Sequence, residues 1–249
     1  MQKDIKDNKI YHGNSVDILS TLEEKSVDLV WTDPPFNTGK KQQIKSTGLN
    51  YDDKYSSISN YLSLMTEVFT SIRPLMKDTG VICVCLDYRS VHDVKVDVLD
   101  IIFGPERFLG EIIWHSELGN ISKKWWTNKH NTILTYSAGD NPVFNFDNIP
   151  RTERKASKSG YEGSKPVNSV WNYTMSNTDP ERSGYPNQKP LEIILPFIAA
   201  HCNQNSLVLD PFMGSGSTLV AASSLGHRSI GIDCNIDACM IAEKRLNDI

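Results

Sequence analysis

Apolar residues along the chain occur as short unbroken runs, separated by stretches in which they return at helical spacing. Lys9–His12 and Ser26–Trp31 read as strands, with a helix from Ser15 to Leu22 between them. Tyr61, Leu62, Leu64, Met65, Val68, Phe69 and Ile72 keep one helical face up to Arg73-Pro74. Val81–Leu86 is a run suited to a strand buried on both faces, and Val91–Phe103 predicts another helix. Strands are expected at Leu109–His115 and Thr132–Ser137. After Pro190 the pattern alternates: helix Leu191–Cys202, strand Leu207–Leu209, helix Ser217–Leu225, strand Ser229–Ile232, helix Ile236–Leu246. Such alternation predicts an α/β fold, a doubly wound and mostly parallel sheet covered on both faces.

Two segments break the pattern. Consecutive prolines in Asp33-Pro34-Pro35-Phe36-Asn37 stop regular structure, and a polar loop, long for a connection, runs from Thr38 to about Ser57. From Ala138 to Pro186, Ser, Asn, Gly, Pro and charged residues dominate without a period, which reads as a loop-rich insertion outside the sheet. The expected organisation is one folded unit made of residues 1–140 and 186–249, interrupted by an insertion at 141–185.

Composition narrows the function. With 249 residues, 39% of them hydrophobic, the chain can bury a substantial core. It has no run of eighteen apolar residues, and its charged N-terminus lacks a signal-peptide segment, so a cytoplasmic location is expected. The five cysteines are odd in number and sit in apolar segments, which does not fit a disulfide framework. Cys83-x-Cys85 lies inside an expected strand and the paired spacings of zinc sites are absent, so no metal is expected. A net charge of −4 weighs against nucleic acid as a bulk quantity, yet phosphate contacts need only a local basic surface. Basic residues do gather at Lys40, Lys41 and Lys45, at Lys123, Lys124 and Lys129, and from Arg151 to Lys165.

Candidate chemistry concentrates in two motifs. Val208-Leu209-Asp210-Pro211-Phe212-Met213-Gly214-Ser215-Gly216-Ser217-Thr218 is a strand, a glycine turn and a helix start, where backbone N–H groups are free and a ligand can approach closely. Leu219 stands where a dinucleotide fingerprint needs glycine, and Gly216 where a Walker loop needs lysine. Asp233 ends the next strand, placed to bond both hydroxyls of a ribose. The implied ligand is a nucleoside without phosphates. The second motif, Asp33-Pro34-Pro35-Phe36, follows a strand and so falls where parallel sheets bind ligands. An exocyclic amino group of a base is a poor nucleophile because its lone pair is delocalised. The Asp33 carboxylate and the Pro34 carbonyl, accepting its two N–H bonds, would localise that pair, and Phe36 offers a flat face to an unstacked base.

Together these motifs resemble the amino-methyltransferases that act on DNA adenine N6 or cytosine N4. Asp33-Pro34-Pro35-Phe36 matches their catalytic motif, which usually ends in Tyr. Asp210 to Ser217 matches their cofactor loop, Gly13-Asn14-Ser15 an element near the cofactor's adenine, and Tyr185-Pro186-Asn187-Gln188-Lys189-Pro190 a variant of the element before the cofactor helix. Catalytic motif, insertion and cofactor loop follow in the order of the beta group. The resemblance implies a Rossmann-like fold, S-adenosylmethionine as cofactor and base flipping in double-stranded DNA. It also carries over, as expectations, a homodimer and a cognate restriction nuclease in a bacterial or phage-infected cell. The implied catalytic residues are Asp33, Pro34, Pro35 and Phe36. The implied cofactor residues are Asn14, Ser15, Asp33, Lys189, Asp210, Pro211, Phe212, Gly214, Ser215, Gly216, Ser217 and Asp233. Target reading falls to the insertion, with DNA contacts at Lys40, Lys41, Lys45, Arg151, Arg154, Lys155, Lys158, Lys165 and Arg182. Asp33 favours adenine, since cytosine enzymes of this type commonly carry Ser there. An N4-cytosine enzyme, a non-catalytic DNA-binding relative of the same fold, and a methyltransferase acting on RNA or protein amide remain the alternatives.

Overall fold

The structure, a computed structural model, describes residues 8–43, 48–117, 121–153, 163–176 and 178–249. Its centre is an eight-stranded sheet. In chain order its strands are β1 (Asn8–His12), β2 (Val27–Thr32), β5 (Met76–Leu86), β6 (Phe108–His115), β7 (His130–Ser137), β10 (Val170–Asn172), β11 (Leu207–Asp210) and β12 (Arg228–Asp233). Two small hairpins stand apart, β3 (Lys40–Gln43) with β4 (Asn50–Asp53), and β8 (Arg151–Glu153) with β9 (Ser164–Pro166). Across the sheet the order is β1-β12-β11-β2-β5-β7-β6-β10, parallel throughout except that β7 runs against both of its neighbours.

Both faces are covered because the central strands carry unbroken apolar runs, Leu29–Trp31 on β2, Val81–Leu86 on β5 and Leu207–Leu209 on β11. On β5, Ile82, Val84 and Leu86 point to one core, together with residues of α1 (Ser15–Leu19), α2 (Ile58–Ile72), and α3 (Val91–Val94) and α4 (Asp100–Phe103), which a π turn at Lys95–Leu99 joins. Val81, Cys83 and Cys85 alternate to the other face, against α5 (Leu191–His201) and α6 (Ser217–Ser224). The last helix, α7 (Ile236–Asn247), closes a third cluster with α6 through Leu219, Val220, Cys239 and Ala242.

The connections set the site. From β2 the chain leaves through α2 toward β5, and from β11 through α6 toward β12, so neighbouring strands depart in opposite directions. A crevice opens at their carboxyl ends, the switch point at which doubly wound sheets take ligands. Asp33 and Asp210 both lie there.

Two segments differ from their sequence reading. The polar loop after the prolines contains the β3–β4 hairpin, whose strands lack hydrophobic alternation: Lys40, Lys41 and Gln43 are exposed, and the inward positions of β4 are Tyr51 and Asp53. The insertion is not wholly outside the sheet: β10 pairs in parallel with Ile113–His115 of β6. Its anchor is Trp171, whose ring packs on Phe197 at 5.1 Å, while Trp114 Nε1 donates to the Tyr173 carbonyl at 2.9 Å. Three residues are too few to show a period.

Gly216 illustrates how tightly the helices meet. Its φ is +77°, and a Cβ there would lie 2.6 Å from the Cβ of Ala242 on α7. Gly216→Ala should therefore destabilise the fold by about 1–3 kcal/mol through overpacking and backbone strain, read as a lower midpoint in urea unfolding.

Candidate active site

At the switch point lies a cavity of about 390 Å³. Its walls come from the carboxyl ends of the strands (Asn14 and Ser15 after β1, Trp31 and Asp33 from β2, Asp210 to Ser215 after β11, Asp233 to Asn235 after β12), from Tyr51, and from Tyr185 to Lys189. The sequence motifs far apart in the chain thus meet around one space.

Asp210 holds the floor. Its carboxylate accepts from Thr32 Oγ1 on β2 (2.9 Å), from Thr218 Oγ1 on α6 (2.6 Å) and from the Phe212 N–H (3.1 Å). Burial pushes this carboxyl up to about 7, against the pull of those three donors. Ser15 Oγ donates to the Pro211 carbonyl at 2.6 Å, fixing the same turn from β1. Asn14 lines the cavity, and its amide oxygen also caps α1 by accepting from Val16 N–H at 2.8 Å.

The turn after Asp210 is aimed at Asp233. Gly214 adopts φ +50°, and its N–H reaches Asp233 Oδ2 at 2.9 Å, while Asn235 N–H reaches Oδ1 at 2.8 Å. Each carboxylate oxygen keeps a further lone pair for a diol. Burial holds Asp233 above the ordinary carboxylate range. Ser215 and Ser217 are braced from behind by Arg245, whose guanidinium donates to Ser215 O and Oγ and to Ser217 Oγ at 2.8–3.1 Å. Gly216 does not line the cavity: it is the spacer between α6 and α7, and in this it departs from its expected part in the cofactor contact.

Asp33 and Lys189 form the other end. Lys189 Nζ donates to Asp33 Oδ2 at 2.5 Å, with the two side chains 8% and 20% exposed. Asp33 Oδ1 is buried and receives no N–H or O–H, and the buried Cys85 thiol on β5 lies against the same carboxylate. Burial raises the Asp33 carboxyl while Lys189 pulls against it. At Lys189 burial acts downward, but the Asp33 charge outweighs it and holds the ammonium above its usual range. The short contact favours the ionised pair. Lys189, expected at the cofactor, lines the cavity and is paired there with Asp33. Its ammonium also lies 4.8 Å from the centroid of the Phe36 ring. Pro35 lines the cavity; Pro34 is buried and Phe36 packs partly against the core beside α5, neither of them on the cavity wall.

Several residues of the site carry no sequence motif. Asp53, fully buried at the end of β4, clamps the chain just past the prolines, accepting from Asn37 N–H (2.8 Å), Thr38 N–H (3.2 Å) and Thr38 Oγ1 (2.6 Å). Tyr51 stacks on Tyr185 with ring centroids 6.3 Å apart, and accepts from Asn187 Nδ2 at 2.8 Å. Tyr185 and Asn187, the departures from the resembled element, are thus partners of the hairpin. Glu181 accepts from Leu191 N–H at the start of α5 and from Gln188, and pairs with Arg245 at 3.5 Å. The only signals for these were single polar residues in irregular segments.

The expected DNA contacts divide. Lys40, Lys41 and Lys165 are exposed, and Arg151, also exposed, bonds Ser164. Arg182 is half-buried, and its guanidinium donates to the carbonyls of Ser176 (2.6 Å) and Met175 (3.0 Å), bracing the insertion. Lys45, Arg154, Lys155 and Lys158 lie outside the described residues.

The charge of the cavity limits its ligand. Lys189 is the one cation on its wall among the described residues, and it is paired, whereas Asp33, Asp210 and Asp233 all face the space. A phosphate would find no counter-charge there; a nucleoside bearing positive charge would.

Comparison with known proteins places this site in a family. The profile of the DNA methylase family, which spans N6 and N4 enzymes, matches residues 27–244, and the chain belongs to that family. Among its relatives, the type II methyltransferase M.HpaI of Haemophilus parainfluenzae is 29% identical over 97% of this chain and 74% of its own. M2.LlaDCHI of Lactococcus lactis subsp. cremoris, also a type II methyltransferase, is 29% identical over 96% of this chain and 88% of its own. The PvuII DNA methyltransferase, described as cytosine-N4-specific, shares the fold with a TM-score of 0.75 at 17% identity, covering 96% of this chain and 86% of that one. The M1.HpyAVI–SAM complex does so with a TM-score of 0.67 at 23% identity, covering 96% and 98%.

The titration of Asp210 gives a test of the floor. Its carboxyl keeps its proton in the fold up to about pH 7 but releases it near 4 in the unfolded chain, so its contribution to stability is full below pH 4 and is lost as pH rises to 7. Asp210→Asn preserves the shape and removes the titration. Urea unfolding at pH 4.5 and pH 8 should show the variant gaining on the wild type at the higher pH; parallel profiles would contradict the assignment.

Proposed function

We propose that the chain transfers a methyl group from S-adenosylmethionine to N6 of an adenine in double-stranded DNA, with the base turned out of the duplex. The observation that carries this reading is the Asp33 carboxylate, anchored by Lys189 at the carboxyl end of β2, beside a cavity suited to a cationic nucleoside. Bound in that cavity, S-adenosylmethionine would supply an electrophilic methyl group.

Asp233 is then the acceptor for the ribose hydroxyls, and the turn at Gly214 and Ser215 lies against the nucleoside. Asp33 Oδ1 accepts one N–H of the adenine amino group and the Pro34 carbonyl the other, localising the nitrogen lone pair. As the nitrogen gains positive charge, the carboxylate stabilises it without having to reorganise, because Lys189 already fixes its orientation. The proton lost from the nitrogen leaves by way of that carboxylate or of water. Phe36 supports Lys189 through the cation–π contact. Lys40 and Lys41 on the hairpin, together with Arg151 and Lys165 in the insertion, serve the DNA backbone and the target-recognition region 141–185. That the relatives are named type II methyltransferases supports a modification role.

The choice of adenine over cytosine N4 follows from the resemblance, since cytosine enzymes of this type commonly carry Ser where this chain has Asp33. Incubating the protein with S-adenosylmethionine and duplex DNA, followed by nucleoside mass spectrometry, should yield N6-methyladenine; N4-methylcytosine would overturn the choice of base. Asp33→Asn, which keeps an acceptor for Lys189, should lower the rate by about 100-fold or more. Phe36→Tyr should remain active. Asp233→Ala should weaken S-adenosylmethionine binding in calorimetry by about 1–3 kcal/mol, and an unchanged affinity would remove Asp233 from the cofactor site.

A further inference from the structure

The loop between β6 and β7 carries an unusual surface. Trp125 and Trp126 are 78% and 83% exposed, next to exposed Lys123 and Lys124 and to Ile121 at 84%. Two adjacent indoles in water forgo a large apolar burial, and contiguous exposed apolar surface of this kind marks an interaction site.

The loop tip has a defined internal structure. Ser122 Oγ accepts from the N–H groups of Lys124 (3.3 Å) and Trp125 (3.2 Å), and Ser122 N–H donates to Thr127 Oγ1 at 2.8 Å. At its base Ser116 N–H bonds the Lys129 carbonyl at 2.8 Å, and Lys129 Nζ bonds the Glu117 carbonyl at 2.7 Å. The four side chains Lys123 to Trp126 are thus presented outward from a pinned turn.

Topology sets where this turn faces. Since β7 is antiparallel to both β5 and β6, β6 runs in the same direction as β2, and the loop leaves the same carboxyl edge that carries Asp33. β6 is three strand spacings from β2, roughly 14 Å, which is about four base-pair steps of duplex. Lysines beside indoles, at that distance from a site acting on DNA, match the chemistry of nucleic acid: cations for phosphate and flat rings for bases.

We infer that Lys123, Lys124, Trp125 and Trp126 form a DNA contact flanking the catalytic site, the lysines on the phosphate backbone and an indole stacked on a base that opens beside the target. This rests on the DNA reading above and adds to it a contact surface distinct from the insertion.

The test uses the full chain and three proteins: wild type, K123A/K124A and W125A/W126A. S-adenosylhomocysteine affinity, measured by calorimetry, should be equal in all three and reports an intact fold. Binding to a fluorescein-labelled duplex containing the wild type's methylated site is then followed by anisotropy across a salt series. The lysine pair should weaken binding and reduce the salt slope by about two. The tryptophan pair should weaken it by about tenfold or more with the slope unchanged. Wild-type affinity and slope in both variants, with the wild type binding and methylating the duplex, would overturn this inference alone. A wild type that neither binds nor methylates duplex DNA would overturn the reading on which it rests. An effect of the lysine pair without one from the tryptophan pair would overturn the stacking.

Discussion

The ion pair between Lys189 and Asp33 is the constraint around which the site is organised. It joins residues 156 positions apart, one after β2 and the other just before α5, in a setting where neither charge is well solvated. A buried charge left without its partner costs about 3–5 kcal/mol, so neither side chain can leave without the other being compensated. The surrounding contacts hold the pair in register. Gln188 and Glu181 fix the segment that carries Lys189, and Asp53 fixes the backbone that follows Asp33. The orientation of the Asp33 carboxylate is thereby fixed by the protein itself.

A second carboxylate, Asp210, performs the equivalent task for the cofactor end. It ties β2, β11 and α6 together through Thr32, Phe212 and Thr218, so the strand that delivers Asp33 and the turn that delivers Gly214 move as one piece. Arg245 extends this brace by joining Ser215 and Ser217 to Glu181, and through Glu181 to the segment carrying Lys189. The two ends of the cavity are therefore mechanically coupled by polar contacts, beneath which lie the two apolar cores. Methyl transfer requires the donor and the acceptor nitrogen in line at close range, and a rigid frame of this type supplies that positioning.

Much of this was legible in the sequence, because both the sheet and the two motifs rest on local rules. Apolar periodicity revealed the strands and helices of the main sheet, and glycine placement separated a nucleoside turn from phosphate-binding ones. What escaped was held together by single side chains reaching across the chain. The β3–β4 hairpin has no apolar face, and its anchor, Asp53, is one acidic residue among several in a polar loop. β10 is three residues long and owes its place to Trp171. Charge alone does not reveal local structure: Arg182 also ties the insertion together through two backbone carbonyls. Gly216 looked like part of a ligand turn, but its lack of a side chain serves the approach of α7.

We propose that this frame presents the Asp33 carboxylate to an adenine amino group in DNA. This is tested most directly by sequencing that detects modified bases in DNA from cells expressing the chain, compared with cells expressing Asp33→Ala. The account predicts one recurrent sequence methylated at a fixed adenine, present with the wild type and absent with the variant. Modification at cytosine, or an unchanged adenine pattern in the variant, would contradict it.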